Sequence, residues 1–241
     1  MMSISIPCTE NRPGSHRDLR NSSPEDLLDR SLLNGTDFRY FAGPWVNRAG
    51  AASKEENWFE AMIYLWVTFN AWVSMVVSNH RYSEKDYYLW RAAGLDPQLN
   101  GRFEYLLATK DSFRNTVVEF RSLWPVFKVR ALVDHGVEPW GAWRIRESRS
   151  EYRARCFSLN LRPSHYAPGC YRDHQPKGTS ELGGDPLNVP LDWSHVLGAI
   201  YRVRCNLFHG GKSFRNSRDQ DFTRLAFSIL FEVWSLEEMA A

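Results

Sequence analysis

The chain has 241 residues, of which 43% are hydrophobic, 14% aromatic and 24% charged. That length and apolar content support one sizeable core and exclude a mainly disordered chain. The formal net charge of +2 excludes a dominant acidic or basic tail, so global charge points to no particular partner.

Within that balance, 24 of the 30 cationic residues are Arg. Its fork suits phosphates and carboxylates, although a GC-rich coding genome produces the same excess. Four cysteines, Cys8, Cys156, Cys170 and Cys205, show no paired spacing, so a disulfide scaffold is not expected. The first 20 residues lack an apolar run of signal-peptide length. The expected compartment is the cytoplasm.

In chain order, residues 1–22 read as a loose polar tail. Residues 24–33 read as a short helix with Ser23 as N-cap and Pro24 in the first helical position. Gly35, Gly43, Pro44 and Gly50 make 34–52 a predicted loop, anchored by Phe38, Tyr40, Phe41 and Trp45. Ser53 and Glu56 form a capping-box pattern that opens a predicted helix over 53–79. Its segment 61–78 carries no charge, which raises a membrane question. Thr68, Asn70, Ser74 and Ser78 favour the central helix of a bundle instead, with no membrane partner.

Further helices are predicted from Ser83 to near Gly94, over Leu99–Ala108 and over Asp111–Trp124, where Pro125 ends or kinks the run before Asp134. Residues 135–190 lose apolar periodicity and read as an irregular basic insertion. Within 141–180, eight Arg or Lys face three Asp or Glu. Residues 142–158 fit an Arg-rich helix, either solvated through Glu–Arg pairs or tracking a phosphate backbone. Val196, Ile200, Val203 and Leu207 stripe a helix over 191–209 that ends at Gly210 and Gly211. A last helix runs from Ser217, with Gln220 completing a capping-box pattern, to about Met239. The fold class is all-α, a bundle of four to five core helices. Residues 1–35 form a tail and short helix, and 36–241 form the domain.

Few motifs carry chemistry. His165, Cys170 and His174 have a His-x4-Cys-x3-His spacing, but zinc sites use two tight pairs and a fourth ligand, so the stretch reads as a polar loop and no metal is expected. The GGKS run at 210–213 lacks the upstream Gly of a phosphate loop, since position 206 is Asn206. No GxSxG nucleophile elbow occurs. The informative stretch is Tyr201–Ser213, YRVRCNLFHGGKS. There a titratable imidazole, His209, follows a fixed guanidinium, Arg204, at the end of a helix. Such a pair suits phosphodiester chemistry: the imidazole moves a proton and the guanidinium neutralises growing phosphoryl charge. A helix that simply ends in a basic residue and a Gly cap gives the same spacing.

This stretch closely resembles the Arg-x(4–6)-His signature of HEPN domains, carried here by Arg204, Cys205, Asn206, Leu207, Phe208 and His209. The earlier segment YLWVTFNAW also resembles a HEPN helix at Trp66, Phe69 and Asn70. The resemblance implies an all-α bundle and a metal-independent, cofactor-free endoribonuclease of a bacterial defence or toxin system. It implies a homodimer with a composite site, RNA as substrate, and an antitoxin or defence-system partner. The catalytic residues it implies are Arg204 and His209. Asn206, Lys212, Arg202 and Asn70 are expected to support the site or contact RNA. Cys205 stands where active members often carry Asn, Asp or His. A non-catalytic HEPN module that binds RNA, a nucleotide or a protein is the alternative.

Overall fold

Apolar side chains at three- and four-residue steps turn most of this chain into packed helices. The computed structural model describes residues 28–34, 36–77, 86–137, 148–176, 184–209 and 217–234. Among these, nine α-helices and one two-stranded sheet form an all-α bundle. The predicted helix over 24–33 lies partly outside the described residues; within them it is a 3-10 turn, Arg30–Leu33, capped by Asp29. Asp29 N–H donates to the Val76 carbonyl at 2.7 Å. Arg30 grips the buried Asp96 with both guanidinium nitrogens, at 3.1 and 2.6 Å.

The predicted loop at 34–52 is instead a helix, α1 (Phe38–Lys54). Its Gly and Pro content misleads. Phe38, Ala42, Ala49 and Ala52 lie on one buried stripe, where small alanines let α1 approach its neighbour closely. Gly43 and Gly50 have open space where a side chain would stand, and Pro44 forgoes only one intrahelical bond.

The predicted capping box of Ser53 and Glu56 does not form. Ser53 Oγ donates to the Gly50 carbonyl at 2.9 Å inside the last turn of α1. Glu56 takes a left-handed φ of 58° and breaks the chain between helices. The next helix, α2 (Trp58–Val76), follows Asn57. Ala61, Met62, Leu65, Trp66, Phe69, Trp72, Val73 and Val76 are buried on it. Thr68 Oγ1 donates to the Tyr64 carbonyl at 2.9 Å, which satisfies the one fully buried hydroxyl of this helix. Among the described residues α2 is the one helix long and apolar enough to cross a membrane. Here it lies against α1, and Phe69 and Trp72 pack on Trp234 with ring centroids at 5.6 and 6.3 Å.

Three helices follow as expected: α3 (Asp86–Leu95), α4 (Pro97–Thr109) and α5 (Asp111–Ser122). Ser83 lies outside the described residues. Asp96 caps α4 by accepting from Leu99 N–H at 2.9 Å, ahead of Pro97 in the first helical position. Pro125 ends the run rather than kinking it. A short strand β1 (Val126–Phe127) and one turn and a half of helix, α6 (Val129–Asp134), follow.

The 135–190 stretch is less of an insertion than its composition suggests. Residues 138–147 and 177–183 lie outside the described residues. The remainder docks on the bundle. Ser148 and Glu151 form a capping box that starts α7 (Arg149–Ser158). Strand β2 (Tyr166–Ala167) pairs antiparallel with β1, Phe127 opposite Tyr166. Phe157 sits 5.3 Å from both the Phe127 and Tyr166 rings and stacks on Tyr171 at 5.5 Å. Aromatic burial, not helical period, anchors this segment, so periodicity alone cannot detect it.

The last two helices are α8 (Trp193–Phe208) and α9 (Ser217–Val233). Gly198 of α8 lets the Trp90 ring of α3 come close, where a Cβ would stand 3.2 Å from it. Trp90 then stacks on Tyr201 at 5.3 Å. On α9, Leu225, Ala226, Ile229, Leu230 and Val233 are fully or almost fully buried. The expected extension to Met239 lies outside the described residues.

Candidate functional site at the C-terminal end of α8

The residues singled out by their sequence pattern lie on α8 and on α2, the helix that faces its inner side. Arg204 is half-buried on α8. Its guanidinium carbon lies 5.5 Å from the centroid of the Trp66 ring, 6.0 Å from Tyr201 and 4.5 Å from Phe208. Trp66 comes from α2 and is itself packed on Tyr201 at 5.9 Å. Three aromatic faces therefore position one cation at the surface, an arrangement that restrains the guanidinium plane.

His209 is exposed and is the C-cap residue of α8; its backbone N–H donates to the Cys205 carbonyl at 3.1 Å. Five residues of helix turn about 500°, so Arg204 and His209 leave α8 about 140° apart. Arg202 and His209 are seven apart and share one face, about 20° from alignment and roughly 10 Å along the axis. Lys212 lies outside the described residues.

The structure gives two of the expected supporting residues, Asn206 and Arg202, other tasks. Asn206 is buried, with its amide committed to backbone: Nδ2 donates to the Phe127 carbonyl at 2.8 Å and Oδ1 accepts from Val129 N–H at 3.1 Å. It ties α8 to β1 and α6 and presents no amide to a substrate. Arg202 Nη2 donates to the Ser164 carbonyl at 3.0 Å, which fastens α8 to the turn before β2. Asn70 is half-buried on α2, one turn beyond Trp66, and its carbonyl accepts from Ser74 Oγ at 2.7 Å.

Basic side chains, Arg202 among them, surround His165. The Lys128 N–H donates to the His165 carbonyl at 2.7 Å, and the His135 and His165 rings are 6.0 Å apart. Burial pushes the His165 imidazole below its ordinary value, and the charges of Lys128, His135, Arg162 and Arg202 push it the same way. This cluster is the part of the basic segment that comes to lie beside α8.

The predicted polar loop His165–His174 divides in two. His165 joins the cationic group. Cys170 caps and His174 ends a 3-10 turn, Tyr171–His174, that carries them toward the first turn of α8. There they meet His195, and the nearest ligand atoms of Cys170, His174 and His195 all lie within 4.8 Å of one another. Sequence reasoning missed His195 and its partner Asp192. Asp192 caps α8, accepting from His195 N–H at 3.0 Å, and it also accepts from His195 Nδ1 at 2.7 Å. An Asp at an N-cap followed three residues later by His was the available signal.

No family model, no curated protein and no solved structure matches this chain.

Proposed function

We propose that this chain is a metal-independent endoribonuclease of HEPN type, acting as a homodimer in a bacterial defence or toxin system. The observation that carries the reading is the aromatic cradle. Trp66 and Arg204, which come from the two separate segments that resemble HEPN helices, are in direct contact. His209 stands exposed one residue beyond Phe208, a wall of that cradle. In the proposed reaction His209 removes the ribose 2′-OH proton and the 2′-oxygen attacks the adjacent phosphorus. The bond to the 5′-oxygen breaks, that oxygen takes a proton, and a 2′,3′-cyclic phosphate and a 5′-OH result. Arg204 holds the phosphate and stabilises the charge that grows on its oxygens.

The test is incubation of the purified chain with single-stranded RNA in EDTA, with circular dichroism recorded in the same buffer. Cleavage with cyclic-phosphate ends, lost in Arg204→Ala and His209→Ala, supports the reading. Equal cleavage by all three proteins marks contamination and removes it.

A second reading, a non-catalytic module that binds RNA, a nucleotide or a protein, is favoured by Asn206. Its buried amide does not supply the polar support that Cys205 lacks. RNA binding without turnover, by a protein that is harmless on expression, selects this reading over the first.

A further inference from the structure

We infer that Cys170, His174 and His195 form a zinc site that fastens the 163–176 segment to the first turn of α8. The inference stands apart from the ribonuclease reading and uses none of its residues.

The donor set is one thiol and two imidazoles, the soft and borderline nitrogen–sulfur combination that zinc prefers. Their mutual separations are all within 4.8 Å, close to what a tetrahedral ion requires. Zn–S and Zn–N bonds of about 2.3 and 2.0 Å put such ligands about 3.3–3.6 Å apart. A closure of at most about 1.5 Å, through side-chain rotation, seats the ion.

The decisive detail is His195. Its Nδ1 lies 2.7 and 2.8 Å from the two Asp192 oxygens, so Nδ1 carries a proton, and the neutral ring that binds a metal offers its lone pair from Nε2. That Nε2 is buried and has no hydrogen-bond partner. A buried acceptor left unsatisfied is costly, and native proteins seldom keep one without a reason. A carboxylate on one nitrogen of a histidine that lies beside a thiol and a second imidazole is the usual support of a metal-bound histidine. The His174 and His195 rings stand at 80° with centroids 6.3 Å apart.

The site has a structural purpose. Cys170 and His174 bracket a 3-10 turn, which alone is a weak element. His195 belongs to a helix turn whose Trp193, Val196 and Leu197 are buried in the core. An ion shared between them ties an irregular segment to a helix turn packed in the core. On binding, the Cys170 thiol gives its proton to solvent. The three protein ligands leave one tetrahedral position for water.

Cobalt is the direct probe, because a thiolate on tetrahedral Co2+ gives both intense d–d bands and a sulfur-to-metal charge-transfer band. The full chain is stripped with chelator, dialysed, and titrated with Co2+ and then Zn2+. The expected result is one equivalent of Co2+ with both features, displaced by one equivalent of Zn2+. Cys170→Ser abolishes the charge-transfer band, and His195→Gln weakens binding at least 100-fold. Asp192→Ser keeps a capping oxygen but not the carboxylate, and weakens binding roughly 10–100-fold. Cys205→Ser changes nothing. Free zinc 1,000-fold above Kd raises the wild-type Tm by roughly 10 °C. A folded wild-type chain without the charge-transfer band overturns the proposal, as does unchanged affinity in His195→Gln. If Cys170→Ser does not fold, those two measurements still decide.

Discussion

The guanidinium of Arg204 rests 5.5 Å from the centre of the Trp66 ring, and this contact joins α8 to α2 across the core. Trp66 is almost wholly buried, so its face is fixed by packing and presents a constant surface to the cation. The pair is partly desolvated, where a cation–π contact contributes about 1 kcal/mol. A double-mutant cycle with Trp66→Leu and Arg204→Met, read by urea denaturation, is expected to give a coupling of about 0.5–1.5 kcal/mol. A coupling near zero would mean that the arginine is merely adjacent to the ring.

Asn206 should behave as a structural residue. Asn206→Ala strands the Phe127 carbonyl and the Val129 N–H at the junction of β1 and α6. Each unsatisfied group costs about 1–3 kcal/mol, so the variant is expected to lose roughly 2–6 kcal/mol. For a chain of this size that lowers Tm by several degrees. Thermal denaturation checks it. A variant with wild-type Tm would return Asn206 to the list of residues available to a substrate.

How much was legible in the sequence follows from which forces leave a local trace. The stripes Leu99–Phe103 and Phe113–Val117–Phe120 write their helices into the spacing, and α4 and α5 lie where that spacing puts them. In α1 the contact is made by Ala42, Ala49 and Ala52, which carry little hydrophobic signal beside Gly43, Pro44 and Gly50. The same holds for the site. Arg204 and His209 are visible because they are five apart on one helix. Asn206 looked equally available, since nothing local reveals a hydrogen bond to Phe127, 79 residues earlier. His195 stood 21 residues after His174, and only the packing of the 163–176 segment on α8 brings them together.

His165 predicts a pH effect on stability. Its pKa in the folded chain is below the ordinary 6.5, through burial first and then the charges of Lys128, His135, Arg162 and Arg202. Below about 6.5 the unfolded chain therefore binds the proton before the folded chain does. Stability contributed by neutral His165 is full above that pH and is lost as pH falls from 6.5 through the lower folded value. His165→Gln keeps a polar side chain without the titration. Urea midpoints measured on both sides of pH 6.5 are expected to fall less with acid in the variant than in the wild type. Equal falls would show that neither burial nor the neighbouring charges hold this imidazole below its ordinary value.

The directions of Arg204 and His209 decide how a shared site would be built. Because they leave α8 about 140° apart, one protomer is poorly arranged to supply both to a single phosphate. On the ribonuclease reading, each site then takes Arg204 from one protomer and His209 from its partner. Arg204→Ala and His209→Ala homodimers are expected to be at least 100-fold less active than wild type. Unfolded together and refolded as an equal mixture, half of the dimers contain one of each protomer. In those dimers one of two sites has both groups, so the mixture should recover about a quarter of wild-type activity. The assay is cleavage of single-stranded RNA, with light scattering to confirm dimers. No recovery from mixed dimers would place both groups in one protomer. The chain would then have to bend at the end of α8 to bring the imidazole round to the guanidinium.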